Sequence, residues 1–171
     1  MPGGRILITQ GQRAVGNCSE VVIATLLGSC VACCIWDEEA GVGGMNHMLL
    51  TVSAQKTGMC NMVGVNAMEL LINDILKLGG QRNRLRAKAF GGAQMVAGLS
   101  DVGTINAAFT LEYLNKEGIA CMGHSLGGTT ARSILFWPAT GRVLQKTNPS
   151  EKPEAPRTIA ADKGGNGIEL L

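Results

Sequence analysis

Val21-Val-Ile-Ala-Thr25-Leu-Leu-Gly28-Ser-Cys30-Val-Ala-Cys33-Cys34-Ile-Trp36-Asp37-Glu-Glu-Ala-Gly41-Val42-Gly-Gly-Met-Asn-His47-Met-Leu-Leu50 decides the fold. Val21 to Leu27 reads as a strand, Gly28-Ser29 interrupts it, and Cys30 to Trp36 resumes extended character. Asp37 to Gly41 is a turn, and Val42 to Leu50 returns as a further strand, so the stretch predicts a compact β unit with a hairpin. The same reading puts Cys30 in a glycine turn and His47 on a neighbouring strand, 17 positions later. A thiol in a turn facing an imidazole across a ladder is the minimal apparatus for attacking an acyl carbon. Acyl-transfer chemistry is therefore the first expectation.

Outward from this block, Arg5 to Thr9 reads as a short preceding strand. Val65, Met68, Leu71, Ile72, Ile75 and Leu78 repeat at helical spacing, and Gly79-Gly80 supplies a C-terminal stop. Leu85 to Phe90 reads as a strand ending at Gly91-Gly92-Ala93. Asn106 is placed to cap a second helix that buries Phe109, Leu111, Tyr113 and Leu114 and ends at Gly118. Strands follow over Ile119 to Met122, Ser133 to Phe136 and Arg142 to Lys146, with Pro138-Ala-Thr-Gly141 as a hairpin turn. The pattern predicts an α+β fold: residues 1–148 form a single, layered α/β domain with antiparallel or mixed sheets and two main helices. After Asn148 the composition shifts, with Pro149, Pro153 and Pro156 among scattered charges, and residues 149–171 read as an extended or disordered tail. Its apolar end, Ile168-Glu-Leu-Leu171, leaves room for a partner-docking peptide.

A chain of 171 residues with 46% hydrophobic and 16% charged residues buries a real core without disulfides or metal. The net charge of +2 is too slight to imply nucleic acid. Arg82, Arg84, Arg86 and Lys88 form the only dense basic run, with no aromatic residues interleaved, and read as a solvated or protein-facing edge. The six cysteines, Cys18, Cys30, Cys33, Cys34, Cys60 and Cys121, are not preceded by an apolar signal segment, so a reducing cytoplasm is expected. No apolar run reaches the length of a membrane-spanning helix.

Each candidate site has a plainer alternative. A cysteine is most often a buried structural residue; Gly28 and the N–H groups around Ser29-Cys30 raise the odds for a nucleophile, because such donors can hold an oxyanion. Cys30-Val-Ala-Cys33 is formally a C-x-x-C motif, but in an extended segment its two thiols point to opposite faces and no second pair completes a zinc site. Gly123-His-Ser-Leu-Gly127 matches the G-x-S-x-G nucleophile elbow letter for letter. No histidine follows Ser125, which argues against a serine hydrolase. Gly91-Gly92 and Gly127-Gly128 lack phosphate-loop spacing; they read as tight turns or close backbone packing, or as space for a substrate backbone near Cys30. Met59, Met62 and Met68 read as core and cap.

Several ordered blocks together carry a resemblance. They are Leu27-Gly-Ser-Cys30-Val-Ala, Trp36-Asp37, Gly44-Met-Asn-His47-Met-Leu, Lys88-Ala-Phe-Gly-Gly-Ala93, Gly103-Thr-Ile-Asn106 and Gly127-Gly-Thr-Thr-Ala-Arg132-Ser. In that order, from about Ile6 to Lys146, the chain resembles the CheD family of bacterial chemoreceptor glutamine deamidases. The resemblance implies a CheD-like fold, Cys30 as nucleophile and His47 as general base. The family's third polar residue is an upstream threonine; Thr25 is the candidate, although a gap-free match to some members puts Ala24 there. Ile105 and Ser125 depart from the arginine and aspartate common in the family. The resemblance further implies hydrolysis of receptor glutamine to glutamate through a thioester, hydrolysis of glutamate methyl esters, and no metal or organic cofactor. Its expected partners are the cytoplasmic helices of methyl-accepting chemoreceptors and a CheC-type phosphatase. Two other classes stay open: a non-enzymatic adaptor of the same chemotaxis system, and a cysteine amidase acting on another amide.

Overall fold

The computed structural model describes residues 4–50, 59–95, 102–147 and 168–170, with backbone alone at 59–61 and 168–170. The strands are β1 (Arg5–Leu7), β2 (Arg13–Gly16), β3 (Val22–Leu27), β4 (Val31–Asp37), β5 (Val42–Asn46), β6 (Arg86–Gly91), β7 (Ala120–Leu126), β8 (Arg132–Trp137), β9 (Arg142–Thr147) and β10 (Ile168–Leu170). The helices are α1 (Met59–Lys77) and α2 (Val102–Lys116), with a 3-10 turn at Arg82–Arg84. Two five-stranded sheets result, ordered β1-β3-β8-β9-β10 and β2-β5-β4-β6-β7. Both are mixed: β1 runs parallel to β3 and β6 parallel to β7, while the other pairings are antiparallel. This is the expected α+β architecture.

Alternation along β4 explains the layering. Val31, Cys33 and Ile35 join the cluster containing Met68, Leu71, Ile72 and Ile75 of α1 and Phe109, Tyr113 and Leu114 of α2. Ala32, Cys34 and Trp36 join Ile23, Leu27, Ile134, Phe136 and Val143 of the other sheet. A strand with apolar residues on both faces is stable only between two layers. Helices, the β4 sheet and the β3 sheet therefore stack in that order, and β4 is fully buried.

Several local expectations change. Val42 to Leu50 is not one strand: regular pairing stops at Asn46, and beyond it Met48 makes an isolated antiparallel bridge to Val31. Asn106 does not cap the second helix, which begins four residues earlier at Val102. Gly123 to Leu126 lies inside β7, so the serine motif is in a strand and not at a strand-to-helix elbow. The basic run is not an edge, because β6 is interior to its sheet and its members separate. Arg84 pairs with Asp37, Arg82 lies 3.6 Å from Glu69 and Glu117, and Lys88 donates to the Gly141 carbonyl. Strands β2 and β10 were not expected from the sequence.

The side chains of Met59 and Cys60, and the tail between 148 and 167, lie outside the described residues. Ile168–Leu170 pairs antiparallel with Leu144–Lys146 of β9. Among the described residues no helix is long and apolar enough to cross a membrane.

Candidate active site

Strand β3 delivers the first component. Ile23, Thr25 and Leu27 alternate towards the space between the sheets, while Leu26 is exposed on the opposite face. Thr25 is thus the lone hydroxyl in an apolar row, and a buried hydroxyl needs partners. It donates to the Ile8 carbonyl at 2.7 Å and meets His47 Nδ1 at 2.7 Å. The hydroxyl has a single proton, which Ile8 takes, so the Nδ1–H of His47 donates to Thr25 Oγ1. That arrangement fixes the ring as the Nδ1–H tautomer and leaves the Nε2 lone pair as the basic site. Ala24, the alternative from the gap-free match, has the opposite facing on the strand.

His47 belongs to the stretch that leaves β5. Its N–H donates to the Gln12 carbonyl and its carbonyl accepts from Gly11, so the loop between β1 and β2 grips its backbone. The ring is buried at 7% exposure and bridges from one sheet to the other through Thr25. Beside it opens a cleft of about 230 Å³, lined by Gln10, Gln12, Asn46, Met48, Asn66 and Leu70 among others.

Cys30 occupies the turn between β3 and β4, half-buried against the inter-sheet cluster. The Val31–Met48 bridge sets it diagonally opposite His47, and period-two alternation puts both on the inter-sheet face of the ladder. Diagonal neighbours of this kind are about 7–8 Å apart at the backbone, within reach of long side chains. The structure therefore brings Thr25 and His47 into direct contact, and places Cys30 on the same face one diagonal away.

Every carbonyl of the turn is held from behind. Gly28 O accepts from the Ala93 N–H at 3.0 Å, Ser29 O from Asn106 Nδ2 at 2.8 Å, and Cys30 O from the Gly92 N–H at 2.9 Å. The Gly91-Gly92 pair is close packing against the Cys30 turn, not space for a substrate backbone. A Cβ on Gly91 would lie 2.2 Å from Cys30 O, and Gly91 has a φ of +111°. Arg132 braces the pair from the other sheet, donating to Gly91 O at 2.8 Å and Gly127 O at 2.7 Å. Gly127 and Gly128 take positive φ values of +91° and +76°, the tight-turn alternative.

Electrostatically the pair is at rest. Burial pushes the Cys30 thiol up from its ordinary value and pushes the His47 imidazole down from 6.5. Both favour the neutral forms. Cys33 and Cys34 are fully buried, with thiols raised by the same cause, while Cys121 is exposed on β7. Among the described residues no three His, Cys, Asp or Glu side chains cluster as a metal site. His124 is exposed on β7 and Ser125 half-buried beside it, in the strand that pairs with β6. Ile105 packs on the helical core.

The sequence reading gave Asn106 a capping role and Arg132 only a place in a family-like block, and it missed the contacts of both and the Ile8 carbonyl. Asparagine in a helix interior is disfavoured unless its amide has work elsewhere, which was the available signal for Asn106. A backbone carbonyl leaves no such trace.

Comparison with known proteins gives the same family. The family model described as CheD chemotactic sensory transduction matches residues 49–147. A probable chemoreceptor glutamine deamidase CheD of Caulobacter vibrioides is 51% identical over 144 residues, 83% of this chain and 77% of the relative. Proteins of the same name from Acidiphilium cryptum and Cereibacter sphaeroides are 44% and 48% identical, covering 98% and 86% of this chain and 93% and 77% of their own. A crystal structure of Neisseria meningitidis protein NMB0706, family-model DUF152, aligns at 14% identity and a TM-score of 0.39 over 75% of this chain and 64% of that chain, too remote to carry weight. With a matching family model over more than half its length and relatives near 50% identity across most of it, the chain belongs to the CheD family.

Proposed function

We infer that this protein is a chemoreceptor glutamine deamidase, a protein-glutamine glutaminase, that works through Cys30, His47 and Thr25. The observation that carries the catalytic assignment is the hydrogen bond from His47 Nδ1 to a threonine hydroxyl whose own proton is committed to Ile8. It leaves a basic Nε2 on the face that also carries Cys30. A base oriented by a third group is the signature of an activated nucleophile.

Because thiol and imidazole both rest neutral, the proton moves as attack begins. His47 Nε2 takes the Cys30 proton, and the sulfur attacks the side-chain carboxamide carbon of a receptor glutamine. The N–H groups at Ser29 and Cys30 hold the developing oxyanion. The tetrahedral intermediate collapses as imidazolium Nε2–H gives its proton to the departing ammonia, leaving a thioester. His47 then deprotonates water, which attacks the thioester carbon, and the product glutamate leaves with the thiol restored. Glutamate methyl esters fit the same route, with methanol as leaving group. We place the enzyme in the cytoplasm, acting on the cytoplasmic helices of methyl-accepting receptors, with a CheC-type phosphatase as a second partner that competes for the same mouth.

The test is peptide-resolved mass spectrometry of a receptor cytoplasmic fragment. Wild-type protein is expected to add about 1 Da per glutamine converted, as NH2 is replaced by OH, and Cys30→Ala to add none. Equal conversion by both proteins would reject the assigned nucleophile. Receptor binding without conversion by wild type would leave the adaptor reading in its place.

A further inference from the structure

Asn106 sits in the interior of α2, 1% exposed, and makes no bond to its own helix through its side chain. Its Nδ2 donates to Ser29 O at 2.8 Å, and its Oδ1 accepts from the Leu50 N–H at 2.7 Å. One amide therefore joins the nucleophile's turn to the segment that carries His47 three residues earlier. The approach that makes this reach is built into the backbone. Gly103, one turn before Asn106, lies so close to the Gly92 and Ala93 carbonyls that a Cβ there would meet both at 2.5 Å.

The consequence follows from peptide planarity. The C=O of one residue and the N–H of the next point in opposite directions across a trans peptide. Anchoring Ser29 O to the helix behind the turn thus aims the Cys30 N–H away from the helix. We propose that Asn106 is a positioning residue of the deamidase, fixing the Ser29–Cys30 peptide plane so that the Cys30 N–H faces the oxyanion of the tetrahedral intermediate. Donation by Ala93 or Gly92 does not do this: the Ala93 N–H holds the preceding peptide at Gly28 O, and the Gly92 N–H holds the following one, whose own N–H at Val31 is taken by Met48 O at 3.0 Å. The inference rests on Cys30 being the nucleophile, as proposed above.

An oxyanion donor acts in the transition state and contributes little to ground-state binding, so its misalignment lowers kcat and leaves KM. Loss of one such donor costs about 10²–10³ in kcat. For Asn106→Ala the expected kcat for receptor-fragment deamidation is lower by about 10²-fold, with KM within about twofold of wild type. Alkylation of Cys30 by iodoacetamide, a displacement that forms no oxyanion, is read at the Cys30 peptide by mass spectrometry. It is expected to stay within about threefold of wild type, since the sulfur and its base are intact. Unchanged kcat overturns the proposal, and so does alkylation that falls in proportion to kcat, which marks a general loosening of the site. Should Asn106→Ala fail to fold, Asn106→Leu, which fills the volume and still makes neither bond, is read against the same two outcomes. Cys30→Ala is run alongside: full activity there refutes the nucleophile itself, whereas an inactive Cys30→Ala with wild-type kcat in the Asn106 variant refutes this inference alone.

Discussion

Thr25 illustrates how one hydroxyl sets the chemistry of a neighbouring ring. Replacing it with valine keeps the shape and removes the anchor of His47 Nδ1, leaving a buried donor unsatisfied. Such a loss costs about 1–3 kcal/mol, which in a transition state is about tenfold to a hundredfold in kcat. Thr25→Val is expected to show that loss with little change in KM, measured on a receptor fragment; a wild-type kcat would remove Thr25 from the machinery. The acid limb is fixed at the same scale. Burial holds His47 below 6.5, so the neutral base survives down to that region and activity is expected to fall only as pH drops below it. The linkage has the same sign: the unfolded chain takes up this proton first, so the contribution to stability is present above 6.5 and is lost as pH falls through the lowered value. A pH profile of kcat/KM whose acid limb lies above 6.5 would contradict the assignment.

The residue scale was also where the sequence was most and least legible. Cys30 and His47 stood out because a glycine turn and a rare histidine are local signals. Thr25 was ambiguous against Ala24, because a gap-free match to some family members puts Ala24 at the threonine position and a one-residue shift on a strand reverses which face a side chain takes. The partner strand shows the facing: Thr25 is opposite Ile134, which is buried between the sheets.

Among elements, the turn carrying Cys30 depends on a second turn that the chain reaches sixty residues later. Gly91 lies at a φ of +111° with Cys30 O at 2.2 Å from the position of a Cβ. Gly91→Ala combines backbone strain with a clash, and is expected to cost about 2 kcal/mol or more and to lower Tm. Activity should fall beyond the unfolded fraction, because the displaced atom is the carbonyl oxygen of Cys30, the proposed nucleophile. Unaltered Tm and kcat would show that this contact is slack. Long periodic segments such as α1 were legible, since a repeated apolar stripe survives small errors at the ends. β2 was not: it spans four residues and is specified by its neighbour β5, not by its own pattern. The Asp37 side chain, fully buried, is pushed up by burial but held net below 3.8 by Arg84 and by the N–H groups of Gln81 and Ala40. It ties the β4–β5 turn to the 3-10 turn, a pairing across 47 positions that no local reading reveals.

For the whole molecule, the decisive feature is that the candidate site spans two sheets. Thr25 comes from one, His47 follows a strand of the other, Cys30 lies in the turn that joins them, and the cluster around Phe136 and Trp36 keeps the sheets at a fixed separation. Phe136→Ala is expected to cost about 3–5 kcal/mol through the cavity it leaves. The folded remainder should also lose kcat, because the Thr25–His47 contact depends on that separation; calorimetry and single-turnover kinetics together check both effects. The unbroken apolar run of β4 is what a strand buried on both faces requires, but it does not say which layer each face meets, since partner identity is set by long-range pairing.

The central claim, that Cys30 is acylated by a receptor glutamine with His47 as its base, is tested most directly by acid-quenching a reaction with a receptor peptide and weighing the intact protein. An adduct on Cys30 equal to the peptide less ammonia, a deficit of about 17 Da, and released by hydroxylamine, is the result expected for a thioester. Deamidation proceeding at the wild-type rate in Cys30→Ala, with no adduct on the wild-type thiol, would contradict it.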